Sequence, residues 1–336
     1  MRFLILLSLL PALVFGQQLN WKTVNLEVNT NCRGLSVVND SVAWISGTGG
    51  WVGNTNDGGK EWNLYQVKGF EKFDFRSLYA FDNDHAVIAN AGSPAAILIT
   101  KDGGRQWKIV HTDSDTTAFY DGIDFWNKKD GIIYGDPVNG RMMLLTTNDG
   151  GQNWQMVPAK NRPQLSVGEA SFAASGTGIR CIEKQKIILA TGGKISSLLI
   201  SPDKGKHWKR IETPIIQGQN STGIFSVASI SNKQYIIVGG NYLIDTFKTD
   251  HIFYTKNGGK SWLKPLSPTR GYRECVEYLG KKTLISTGPS GADISYDNGI
   301  TWLPFNDEKN FHTIRKARSG KLILATGKGK IAIISH

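Results

Sequence analysis

One position recurs seven times along this chain and collects the side chains best suited to chemistry: Arg33, Arg76, Asp121, Arg180, Phe225, Glu274 and His312. A small residue and then a branched aliphatic follow each of them, as in Arg33-Gly34-Leu35, Arg180-Cys181-Ile182 and Glu274-Cys275-Val276. Arginine forks grip a carboxylate or phosphate through paired N–H donors, so Arg33, Arg76 and Arg180 form a candidate site for an anionic group. Asp121 and Glu274, with Tyr272, also offer the two carboxylates and the hydroxyl that a glycoside hydrolase would use. A second arrangement fits the same set equally well, in which these residues pair with one another around a wet channel. Cys181 and Cys275 read as small core residues, since no sequence neighbour would activate either thiol.

Such a ring requires several strands converging on one axis, and a second repeat supplies them. Six segments share Ser or Thr, then Asp, then Gly, then Trp at fixed spacing, from Thr55-Asn-Asp-Gly-Gly-Lys-Glu-Trp62 to Ser295-Tyr-Asp-Asn-Gly-Ile-Thr-Trp302. The acidic position holds Asp57, Asp102, Asp149, Asp203, Asn257 and Asp297, and the aromatic position holds Trp62, Trp107, Trp154, Trp208, Trp262 and Trp302. The pattern resembles the Asp-box, or BNR repeat. A carboxylate here can accept backbone N–H groups across a tight turn, and the indole packs beneath it. The box carboxylates are therefore expected to be structural. Apolar runs such as Ala96–Thr100 precede the turns and short strand-like runs such as Trp107–Val110 follow, which predicts the outer hairpin of a four-stranded blade.

The Trp-to-Trp steps are 45, 47, 54, 54 and 40 residues, against roughly 40–45 for one blade. Trp21 stands 41 residues before Trp62, so the N-terminal run Asn20–Val24 reads as an outer strand without its blade. Phe311–Ala317, Lys321–Thr326 and Ile331–Ser335 read as three strands lacking an outer one. Together they predict an all-β, seven-bladed β-propeller over residues 17–336 whose last blade is closed by the N-terminal strand. Closure removes the sheet edges that an open array would expose. The loops between second and third strands should border the ring, and they add Asp136, Arg141, Lys194, Asn241 and Tyr242 as candidate contacts.

Residues 1–16 read as a signal peptide, with Arg2 before the apolar run Phe3–Phe15 and Gly16 as a small residue for cleavage. That run is too short to span a bilayer, so a secreted or periplasmic monomer with no integral membrane segment is expected. The net charge of +11 favours an acidic protein, peptide or glycan as partner. Nucleic acid is not expected, because no basic cluster is interleaved with aromatics. No CxxC or HxxxH spacing is present, and neither a metal nor a cofactor is expected. Three cysteines leave at least one thiol unpaired.

From Trp21 to the C-terminus, the boxes and the inner-strand pattern resemble the photosystem II stability/assembly factor-like propellers, a family with exported bacterial members. That resemblance implies a non-enzymatic binding or assembly scaffold acting through an arginine-rich face at the top of the central channel. It also implies that the box turns lie at the outer rim, away from that channel. Some members carry a glycosyl hydrolase or oxidoreductase label. For the first, sialidases and some endoglucanases share the box, but the Arg-Ile-Pro element common in sialidases is missing. For the second, no strand followed by GxGxxG and a helix is present. Fold alone does not decide between these functions.

Overall fold

The computed structural model describes residues 19–335, and the expected signal peptide lies outside the described residues. The described strands form seven separate antiparallel sheets. Their innermost strands are Cys32–Val37, Ser77–Ala80, Tyr120–Phe125, Ile179–Ile182, Thr222–Ser229, Cys275–Gly280 and Phe311–Lys316, which define blades 1 to 7. The helical content of the described residues is one 3-10 turn, Ala159–Asn161.

Strands in the middle of a blade are buried on both sides, and their sequences are continuous apolar runs for that reason. In blade 2, Ala86, Ile88, Ala96 and Leu98 pack toward Trp44 and Val52 of blade 1. The intervening Val87, Ala89, Ile97 and Ile99 pack toward Ile123, Ile133 and Leu145 of blade 3. The alternation follows from the two-residue period of a strand. The same apolar layer fills each remaining gap, including the one between blades 7 and 1, where Leu324 and Ile331 meet Leu35 and Ile45.

The ring closes as the sequence predicts. The N-terminal strand Asn20–Asn25 pairs antiparallel with Lys330–Ser335, from Asn20↔Ser335 to Asn25↔Lys330, and completes blade 7. Trp21 stands edge-on to Phe305 of blade 6 and Phe311 of blade 7, at centroid distances of 5.7 and 4.8 Å.

Each box carboxylate is consumed by its own turn. Asp57 Oδ1 accepts the Thr55 hydroxyl at 2.8 Å and the N–H groups of Lys60 and Glu61 at 2.9 and 3.1 Å. Asp102, Asp149, Asp203 and Asp297 repeat the pattern. Asn257 does the same with its amide oxygen. The residue after the acidic one has positive φ, as Gly58 does at 81°, with Lys204 and Asn298 tolerating the position in the fourth and sixth boxes. That residue donates its N–H to the turn joining the blade's first two strands, as Gly58 does to Ser41 and Lys204 to Gln185. Both kinds of turn thus share one face, the lower one here. In blade 5 the outer strand shrinks to a bridge between Leu263 and Tyr254. Its Trp262 indole donates to Glu212 of blade 4 instead of to its own turn.

The two 54-residue steps are spent on the upper face. One holds a long connection between blades 3 and 4 that includes the two-residue strand Glu169–Ala170. That strand pairs with Gly192–Gly193, which in turn extends the inner edge of blade 5. The other holds the loop after Tyr235–Asn241, where Leu243 and Ile244 are exposed.

Candidate functional site

The upper ring begins with a local distortion. In blades 1, 3, 5 and 7 the register slips by one residue at Arg33, Asp121, Phe225 and His312. A bulge leaves its extra residue outside the ladder and re-aims its side chain, which is why this position varies while its neighbours do not. Here it points toward the axis. The ring is not an open mouth, however. Residues 171–178, which lead into the inner strand of blade 4, cross the channel and plug it. The Nη1 of Arg33 donates to the carbonyl of Ala174 at 2.6 Å, and the Nη2 of Arg315 donates to that of Gly176 at 3.0 Å. Ser175 Oγ donates to the Glu274 carbonyl at 2.7 Å, and Thr177 Oγ1 to Ser226 Oγ at 2.6 Å. The plug thus reaches blades 1, 5, 6 and 7.

Against it the polar residues of the upper ring pair with one another. Glu274 receives Arg33 Nη1 at 3.1 Å, His312 Nδ1 at 2.5 Å and the Tyr272 hydroxyl at 3.3 Å. Burial opposes its ionisation, but the charges and hydrogen bonds of Arg33 and His312 outweigh that cost and hold the carboxyl below its usual range. The Nε of Arg76 donates to Asp74 at 2.6 Å. Asp121 is fully buried, and burial pushes its carboxyl well above the usual range. Neither Asp121 nor Glu274 is open to a sugar ring, at 0 % and 4 % exposure. Phe225 stacks on Phe172 at 3.8 Å, with Tyr242 edge-on to both rings. Among the loop candidates, Asp136 accepts the Ser171 N–H at the base of the plug. Arg141 is held by the Arg162 carbonyl, Asn241 caps the N–H of Leu243, and Lys194 is exposed.

Arg180 does not belong to this ring, which corrects the sequence expectation of one site built from Arg33, Arg76 and Arg180. In blade 4 it is Ile179 that pairs with Leu189 as the aliphatic layer requires, so the ring position there is Thr177, followed by Gly178 and Ile179. Arg180 lies three residues farther along, at the lower end of the channel. Moving every ring position by three residues names the residues around that end: Ser36, Tyr79, Asp124, Arg180, Ala228, Glu277 and Arg315, all of which line one cavity. The two rings correspond to the two ends of seven inner strands.

This lower cavity has a volume of about 280 Å³ and is open to solvent. Arg180 is anchored by its Nε to the Val227 carbonyl at 2.7 Å and by Nη2 to Glu277 at 2.9 Å. Arg315 has only the Gly176 carbonyl as a hydrogen-bond partner, with Glu277 at 3.8 Å from Nη1. Burial and the neighbouring Arg180 charge pull Arg315 below the usual arginine range, so an incoming anion would relieve a repulsion. Arg318 lies 4.4 Å over the ring of Tyr79 and donates to Ser36 and to the Ala80 carbonyl. Lys316 completes the basic side of the rim. Asp124 opposes them, but burial pushes its carboxyl up, although Cys181 donates an N–H to it. Cys181 is therefore a wall residue of this cavity. Burial pushes its thiol well up, as it does those of Cys275 and Cys32, the last to about 12. All three thiols are free.

Comparison with known proteins agrees with this architecture. Residues 15–115 and 78–175 match the family described as photosynthesis system II assembly factor YCF48. The photosystem II assembly lipoprotein Ycf48 of Synechococcus sp. (strain CC9902) is 25% identical over 135 residues, which is 40% of this chain and 39% of that relative's length. The solved structure of YCF48 bound to D1 peptide superposes with a TM-score of 0.69 at 16% identity, covering 94% of this chain and 97% of the other. YCF48 from Cyanidioschyzon merolae gives 0.66 at 17% identity, covering 93% and 98%. With its boxes, its closing strand and these matches, the chain is a seven-bladed β-propeller that is similar, over residues 15–175, to the photosystem II assembly factor YCF48 family.

Proposed function

We propose that the chain is an exported, non-enzymatic binding propeller that seats an acidic segment of a partner protein in the lower mouth of its channel. One observation carries this reading: Arg180, Arg315 and Arg318 converge on a cavity of about 280 Å³, and Glu277 is the one carboxylate salt-bridged there. Nη1 of Arg180 and both Nε and Nη1 of Arg315 have no hydrogen-bond acceptor among the described residues. These are donors of the kind that bind carboxylates in a fork. The surrounding turns carry Lys128, Lys129, Lys184, Lys233, Lys281, Lys282 and Lys321 against Asp40, Asp82, Asp84, Asp130 and Glu183, a small excess of positive charge on this face. Apolar walls from Val37, Leu78, Ile123 and Phe125 suit the stem of an acidic side chain or an adjacent apolar residue. A related propeller is known bound to a peptide, which supports peptide recognition on this fold. The expected signal peptide supports export. Among the described residues, no helix is long and apolar enough to cross a membrane.

The test is fluorescence anisotropy with a labelled Glu/Asp-rich peptide and a Gln/Asn analogue of equal length. The acidic peptide is expected to bind, with affinity falling as salt rises. Equal affinity for the neutral analogue refutes the reading.

A further inference from the structure

The upper part of the channel leaves a group of buried oxygen atoms unanswered. Asp121 is 0 % exposed, and neither of its carboxylate oxygens has a hydrogen-bond partner among the described residues. The hydroxyls of Tyr134 and Ser171, at 0 % and 6 % exposure, are also without partners. These residues come from three neighbouring segments: the inner strand of blade 3, the strand Gly131–Val138 beside it, and the start of the plug. Asp136 links them, because its Oδ1 takes the Ser171 N–H at 3.0 Å and its charge acts on both Asp121 and Tyr134. Tyr134 lies across Gly122, next to Asp121: a Cβ on Gly122 would fall 2.6 Å from its ring, and one on Gly178 would fall 2.3 Å from its hydroxyl. The tyrosine tip therefore lies where the plug enters blade 4. The basic group acting on Asp121 is Arg76, which makes no hydrogen bond to it and donates its Nε to Asp74.

Buried polar atoms are almost always satisfied, and an unanswered carboxylate is costly. The donor set here is oxygen only, with two carboxylates and two hydroxyls, which is the chemistry of a hard cation site. We propose that Asp121, Asp136, Tyr134 and Ser171 bind a hard cation of the calcium class between blade 3 and the plug. Two carboxylates balance its charge, and the ion satisfies the orphaned oxygens. Ser171 and Asp136 already join the plug to blade 3, so the ion would fasten that joint. The site is independent of the lower mouth.

The experiment uses the full mature chain, first treated with chelator. Terbium is the optical probe, because a bound lanthanide beside Tyr134 should show tyrosine-sensitised emission. Wild type is expected to give that emission, to lose it on adding calcium, and to melt at least ~3 °C higher with millimolar calcium than with chelator. Asp121→Asn and Asp136→Asn should each abolish both effects, while Asp149→Asn, in an outer turn, should retain them. If either channel variant fails to fold, Ser171→Ala is read in its place, with at least a threefold loss of terbium affinity expected. Absence of a calcium-dependent melting shift in wild type overturns the proposal. So does terbium emission that survives unchanged in the folded channel variants.

Discussion

Arg33 and Glu274, 241 residues apart in sequence, meet against the plug with Nη1 3.1 Å from Oε1. The contact ties blade 1 to blade 6, past the intervening blade 7. One edge of the arginine is thereby committed, since Nη1 serves both Glu274 and the Ala174 carbonyl, while its buried Nε has no hydrogen-bond partner among the described residues. Removing one partner of a buried pair leaves the other uncompensated. Arg33→Ala should therefore lower unfolding stability by about 3 kcal/mol, read by urea denaturation. Its affinity for an acidic peptide, measured on the folded variant, should stay within about twofold. A stable variant with lost binding would return the site to the upper ring.

The box turns predict a response to acid. Desolvation raises the carboxyls of Asp57, Asp102, Asp149, Asp203 and Asp297 somewhat, but their turn hydrogen bonds more than offset it and lower all five. Asp203, helped by His207, falls to about 2. A carboxyl lower in the folded than in the unfolded state contributes stability above its unfolded pKa of 3.8 and loses it as pH falls through the folded value. The urea midpoint should therefore decline between about pH 4 and pH 2. Asp203→Asn should flatten that decline, whereas Asn257→Asp should steepen it. Matching slopes in all three proteins would contradict this.

Ring closure can be tested at Trp21. Its ring is wedged against Phe305 and Phe311, so it holds the closing strand onto blade 7. Trp21→Ala should cost about 3 kcal/mol, and hydrogen exchange should speed up first in Asn20–Asn25 and Lys330–Ser335. Faster exchange in blade 3 alone would be the wrong outcome.

The parts of this molecule that were legible in its sequence are those set by local turn chemistry. Six box turns and one unpaired N-terminal strand predicted seven blades and their closure, because each box specifies a hairpin and the spacing counts them. The register of blade 4 was not legible. Thr177-Gly178-Ile179 and Arg180-Cys181-Ile182 both fit the pattern of a variable, a small and an aliphatic residue. Only the pairing of Ile179 with Leu189 separates them. The plug was hidden for another reason: Ala173-Ala174-Ser175-Gly176 reads as a linker, and its hydrogen-bond partners are scattered over four blades. The lower ring carried a signal that was available but unread, since Glu277 and Arg315 stand three residues after Glu274 and His312.

Two faces of one channel compete as the binding site, and a single comparison separates them. Acidic-peptide affinity should be measured by anisotropy at low salt for wild type, for the lower-face double variant Arg315→Ala/Arg318→Ala, and for the upper-face variant Arg76→Ala. The lower-face variant should bind at least about tenfold more weakly, the loss of roughly 1.4 kcal/mol that one charge-assisted contact represents, while the upper-face variant should match wild type. Full affinity in the folded lower-face variant, with loss in Arg76→Ala, would contradict the assignment.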